Sequence, residues 1–228
     1  MCERNESKSV FTLQTCKTLA LVLAGFWLAG CASTAYHERA VAARSMDTTA
    51  ADLQAESRAL AATMATLDDL VKNPAPDLRP QLKRFSNSLD RLVAASQRAE
   101  AASRDMSEKN AAYFAEWDKQ LATMQYDSVR SSSEAHKVEM TNHVETVKRR
   151  CLETESAVCP VIAYLQDIRT ALRADLTVGG LDAVKGVVAN ADQNAEKLAF
   201  AFEKLSADLS PSSNSPPSVA TASAGSTQ

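Results

Sequence analysis

No glycine occurs between Cys31 and Val178, and no proline between Gln81 and Cys159. A chain turns most easily where glycine frees the backbone or proline ends a hydrogen-bonded run, so a stretch this long without either demands long helices. The apolar spacing agrees. Leu53, Leu60, Met64, Leu67 and Val71 share one helical face in the first segment. In the second, Leu78, Leu82, Phe85, Leu89, Leu92, Ser96, Ala99, Ser103, Met106, Asn110, Tyr113 and Trp117 follow steps of three or four. The third seam carries Met140, Val144, Val147, Cys151, Thr154, Val158, Val161, Leu165, Ile168 and Leu172; the fourth carries Leu181, Val184, Val188, Ala191, Ala195, Leu198, Phe202, Leu205 and Leu209. Such a period near 3.5 residues is the signature of helices that pack along one another. Residues are 45% hydrophobic but only 5% aromatic, which argues against a β-rich enzyme. Small and polar residues in the middle of the second seam predict close or locally wet packing there.

The breaks define the topology. Asn73-Pro74-Ala75-Pro76-Asp77 ends one helix, with Asp77 as the expected N-cap of the next and Pro80 in its first turn. Phase is lost again around Tyr126-Asp127-Ser128, where Asp127 or Ser128 is expected to cap, and Thr177-Val178-Gly179-Gly180 is expected to form the third turn. The result is an all-α, elongated antiparallel four-helix coiled-coil bundle with a long central helical hairpin. Its two middle helices are each roughly 45 residues, or about 70 Å at the rise of an α-helix. The first helix is expected to be shorter, so the bundle should thin to two helices at a tip near residues 114–138, with the N-terminus emerging on the tip side. Pro160 falls inside the third seam; a kinked but continuous helix is the preferred reading, and a turn is the alternative.

The first 30 residues stand outside this pattern. Arg4, Lys8 and Lys17 precede an uncharged run from Leu19 to Gly30. It is too short for the roughly 20 apolar residues of a spanning helix but suits the core of a secretory signal. The run ends in Leu28-Ala29-Gly30-Cys31, which resembles the lipobox of bacterial lipoproteins. That resemblance implies a signal peptide over 1–30, lipidation of Cys31, and attachment to the cell envelope through the lipid. Ala32, where an Asp would imply inner-membrane retention, implies an outer-membrane location facing the periplasm. Residues 31–209 then form the helical domain, and residues 210–228, rich in Ser and Pro, an expected disordered tail. Removing the signal leaves 22 of the 25 basic and 26 of the 28 acidic side chains. Such a mildly acidic surface gives no reason to expect nucleic acid as a partner.

Phe114-Ala115-Glu116-Trp117 with Leu121, then Ser128 and Arg130, and further on Pro160, Asp167 and Leu172, are similar to an uncharacterised family of bacterial lipoproteins, domain of unknown function family 2959. The likeness covers nearly all of residues 31–209 and implies envelope location and a helical fold, with no activity attached. Cys151, Cys159 and the Ser/Pro tail depart from the family pattern.

Chemistry is sparse. His136 and His143 are seven residues apart, too far along a helix to chelate one ion, and no pair of Glu-x-x-His motifs supports a di-iron site. Glu139 and His143 are within hydrogen-bonding reach and are expected on a solvated surface. No cofactor, metal or catalytic set is expected, and the chain is read as a non-enzyme. Cys151 is expected as a buried seam thiol and Cys159 as partly exposed; a disulfide between them requires the helix to fold back at Pro160. Phe114, Trp117 and Tyr126, beside Tyr113, form a candidate interaction surface, against the simpler reading that Tyr113 and Trp117 close the hairpin. Three functional expectations follow: an envelope scaffold, tether or assembly accessory acting on an envelope protein partner; a periplasmic thiol-linked protein using Cys151 and Cys159; and a homo-oligomer through exposed seam residues.

Overall fold

A computed structural model describes the backbone of residues 9–209 and the side chains from residue 36 onward. Four helices follow one another: α1 (Ser9–Lys72), α2 (Arg79–Thr123), α3 (Asp127–Ala174) and α4 (Val178–Leu209). They form an all-α bundle in which α1 meets α2, α2 meets α3, α3 meets α4 and α4 closes on α1. Neighbours run in opposite directions. Asp69 pairs with Arg84 at 2.9 Å while Thr49 Oγ1 donates to the Ala102 carbonyl at 3.1 Å. Arg169 pairs with Asp90 and Lys137 with Asp118 between α2 and α3, and Arg150 pairs with Asp208 between α3 and α4.

The interior follows the seams. Every α4 seam residue from Leu181 to Leu209 is buried, as is every α3 seam residue from Val144 to Leu172. Phe85, Leu89 and Leu92 of α2 pack with Leu67 and Leu70 of α1, Leu165, Ile168 and Leu172 of α3, and Leu205 of α4 in one continuous core. At about 25 cal/mol for each Å² of apolar surface removed from water, this core is the main reason the long helices hold together. The α1 seam is less apolar than expected. Its buried positions run Met46, Thr49, Leu53, Glu56, Leu60, Thr63, Leu67 and Leu70, with a polar residue at alternate places. The hydroxyls of Ser45, Thr49 and Thr63 bond back to carbonyls of their own helix, so their burial leaves no donor unpaired. Their small size also lets α1 and α2 approach closely enough for the Thr49–Ala102 bond.

The ends of the helices differ in detail from the sequence expectation. Leu78, not Asp77, is the N-cap of α2; Asp77 instead accepts from the backbone N–H of Arg79 and pairs with its guanidinium, while Pro80 occupies the first turn. Gln81 ties the α1–α2 turn together: its amide oxygen accepts from the Ala75 N–H, and its nitrogen donates to the Asp69 and Asn73 carbonyls. Tyr126 precedes α3, and Asp127 is its first residue rather than its cap, where a carboxylate complements the helix dipole. Gly179 and Gly180 lie inside the first turn of α4, and the turn itself is Asp175–Thr177. Thr177 caps α4 by accepting the Gly180 N–H at 3.2 Å, and its own hydroxyl donates to Asp175 at 2.8 Å. Gly180 is needed for space: a Cβ there would sit inside contact distance of the Asp175 carbonyl oxygen and 3.0 Å from its carbonyl carbon.

One larger expectation holds and one is corrected. α3 runs unbroken through Pro160, so Cys151 and Cys159 lie on one continuous helix as two free thiols. Eight residues of helix hold their α-carbons about 12 Å apart, well beyond disulfide reach, so the pairing that only a fold-back at Pro160 would have allowed is not formed. The tip, however, is not a two-helix hairpin. α1 begins at Ser9 and its Arg39–Met46 stretch packs beside Tyr113, Trp117 and His136, so three helices reach the tip. The side chains of residues 1–35, including Cys31, and the whole of the expected tail 210–228 lie outside the described residues.

Candidate functional site

Most of the aromatic side chains of α2 gather where α4 has already ended. Tyr113 lies obliquely against Phe114 (ring centroids 5.4 Å apart) and against Trp117 (5.5 Å), which sits one helical turn on along the same face. Trp117 then bridges to α3: its indole N–H donates to Ser133 Oγ at 3.0 Å, and its ring meets His136 edge-on at 5.6 Å. Lys137 and Asp118 add an ion pair across the same junction. Trp117 therefore helps close the hairpin, with its polar edge satisfied and part of its face open. Phe114 is half-buried, whereas Tyr126 is 76% exposed in the α2–α3 turn. Of the three residues expected to form an interaction surface, the structure joins Phe114 and Trp117 in one cluster through Tyr113 and sets Tyr126 apart from it.

The cluster floors a groove of about 400 Å³. Arg39 and Met46 of α1 form one wall, His136 and Met140 of α3 the other, and Tyr113 and Trp117 the base. Burial pushes the Tyr113 phenol above its ordinary range, and the positive charge of Arg39 opposes that rise. His136 was within reach of sequence reasoning, since it lies four residues before the seam residue Met140. Its Nδ1 lies 3.8 Å from a carboxylate oxygen of Glu139. His143 is half-buried rather than solvated, and its Nε2 is enclosed with no hydrogen-bond partner.

A second polar constellation lies in the core. Glu56 of α1 is only 3% exposed and faces Ser96 and Ser103 of α2 and Cys151 and Glu155 of α3 around a void of about 10 Å³, the size of one water molecule. Burial raises the Glu56 carboxyl above its ordinary value, against the opposing hydrogen bond with Ser96, and the nearby Glu155 raises it further. Burial likewise raises the Cys151 thiol, partly offset by its hydrogen bond with Ser103. A thiol held protonated in this way is a poor nucleophile. Cys159, by contrast, is exposed. Among the described residues, no group of three or more His, Cys, Asp and Glu side chains is placed to hold a metal ion, and no helix is long and apolar enough to cross a membrane.

These helices, with the aromatic tip, correspond to a family model described as a protein of unknown function (DUF2959), which matches residues 29–210. The chain belongs to the DUF2959 family. No curated protein and no solved structure matches it. The DUF2959 match spans all of α2, α3 and α4 and the part of α1 that packs on them. Its description carries no activity, so the functional reading rests on the geometry.

Proposed function

We propose that this DUF2959 protein is a lipid-anchored helical rod of the cell envelope that acts by binding another envelope protein, as a scaffold, tether or assembly accessory. The observation that carries the reading is the continuity of α1, one helix from before Cys31 to Lys72. An acyl chain on Cys31 would be joined to the bundle without a flexible linker. The Thr49–Ala102 and Asp69–Arg84 contacts fix the α1–α2 register. Carried on at the helical rise, that register sets Cys31 level with the end of α2, near residue 121. The anchor and the aromatic tip then share one end, where Trp117 and Tyr126 suit a membrane interface or a partner seated on it. The turns Pro74–Arg79 and Leu176–Val178, which lie together at the other end, would be held away from the bilayer. By resemblance, Ala32 after the lipidated cysteine favours the outer membrane over the inner one.

The test has two parts. Cells expressing the protein are labelled with palmitate and fractionated, beside Cys31→Ser; label and membrane association should both be lost in the variant. A photocrosslinking residue at position 126 should then capture one reproducible envelope protein that a residue at an α4 surface position does not. Membrane association independent of Cys31, or identical crosslink patterns at both positions, would overturn the reading. The thiol-linked alternative is disfavoured by the separation of Cys151 from Cys159 and by the protonated, buried state of Cys151.

A further inference from the structure

Among the described residues, the fourth place in the bundle is filled for only part of its length. Below Arg150, the trough between α1 and α3 is occupied by α4 through Leu198, Phe202, Leu205 and Leu209. α4 ends at Leu209, where Asp208 pairs with Arg150. Past that level α1, α2 and α3 continue together, and the trough opens into the aromatic-floored groove of about 400 Å³. α4 runs toward the tip, so the chain leaves Leu209 aimed along the open trough. Nineteen residues follow, Ser210 to Gln228, with no charged side chain among them and prolines at 211, 216 and 217.

We propose that this segment lies in the vacated fourth position as an extended strap, seating Pro216 and Pro217 on the rings of Tyr113 and Trp117. Distance supports the register. From Arg150 to His136 is 14 residues of α3, or about 21 Å. A polyproline-type chain advances about 3.1 Å per residue, so it covers that span in about seven residues beyond Leu209, which is Pro216. Chemistry supports it as well. Aromatic-lined grooves take proline because the flat pyrrolidine packs on ring faces and a preformed extended chain loses little entropy on docking. A short neutral Ser/Pro segment has no apolar stripe with which to extend α4 as a helix, yet it can bring carbonyl oxygens past the Arg39 guanidinium in the groove wall. The seat concerns this chain alone, so its failure would leave the anchored-rod reading untouched.

The experiment uses the mature chain from Cys31 in detergent with 5-fluorotryptophan, where Trp117 is the single tryptophan and Trp117→Phe confirms its ¹⁹F resonance. Three proteins are compared: the full mature chain, a chain ending at Leu209, and a full-length Pro216→Gly/Pro217→Gly variant, which leaves every bundle residue in place. The Trp117 resonance should shift in the latter two while the helical content, read by circular dichroism, stays. A synthetic peptide of residues 210–228 should return the truncated chain toward the full-length position, and the full-length position should not change on dilution. An unchanged Trp117 resonance in the double proline variant would overturn the proposal. So would a full-length position that moves on dilution, which would assign the trough to a second copy.

Discussion

Three glycines in one helix should respond to the same substitution with opposite signs. Nothing lies within 4 Å of a Cβ built at Gly186, and at Gly179 the nearest atom is Thr177 Oγ1 at an ordinary 3.6 Å. Alanine at Gly186 therefore gains only the helix preference, a stabilisation of about 0.5–1 kcal/mol, and at Gly179 a smaller one in the first turn. At Gly180 the added methyl meets backbone, the carbonyl of Asp175, which cannot rotate away as a side-chain end can. Relief requires the Asp175–Thr177 turn to move. That weakens the Thr177 cap, about 1 kcal/mol, and adds overpacking strain of about 1–3 kcal/mol beside the buried Leu181. After subtracting the helix gain, Gly180→Ala should cost roughly 1–3 kcal/mol. At about 2–4 °C per kcal/mol for a domain of this size, its Tm should fall by about 2–12 °C while that of Gly186→Ala rises. Thermal and urea unfolding followed by circular dichroism would measure both. If Gly180→Ala proved as stabilising as Gly186→Ala, the steric account of this turn would be wrong.

Three further outcomes follow from the core. Because burial raises the Glu56 carboxyl, the folded state favours its protonated form; that contribution is full below the ordinary value of 4.5 and is lost as pH rises through the raised native value. Glu56→Gln, which can still accept from Ser96, should therefore exceed the wild type by about 1–3 kcal/mol at neutral pH, with the gap closing on acidification; a gap independent of pH would contradict this. Native protein treated with a thiol reagent should be modified at Cys159 long before Cys151, which should react only on unfolding, and peptide mass mapping showing equal rates would refute the burial argument. Phe85→Ala, at a fully buried contact shared by the core, should lose about 3–5 kcal/mol in denaturant titration, and a loss under 1 kcal/mol would mean the core collapses around the gap.

The seams of α3 and α4 were legible residue by residue because nearly every inward position there is apolar or a small thiol or hydroxyl. α1 was less so. Its interior places Thr49, Glu56 and Thr63 at alternate steps, and a scan for apolar residues passes over them, although the hydroxyls are satisfied by carbonyls one turn back. The turn before α4 was misplaced because glycines read as turn residues, whereas here Gly180 is required by a neighbouring carbonyl and Thr177 does the capping. Pro160 was legible as an interior helix residue because the seam runs through it unbroken from Val158 to Val161 to Leu165, and α3 does continue there. The aromatic residues of the tip were visible, but Arg39 and His136 come from other helices, and their placement depends on how far α1 extends, which heptad spacing does not report.

Four helices lie lengthwise in one rod, so the first and second turns sit at opposite ends. Spin labels at Ala75 and Gln125, separated by the whole of α2, test it by pulsed dipolar spectroscopy. The 45 residues of α2 predict a narrow distribution centred at about 68 Å, while labels at Ala75 and Thr177, both beside the same notch, should lie within a few turns of each other. A broad Ala75–Gln125 distribution centred near half that length would contradict the rod and the functional reading built on it.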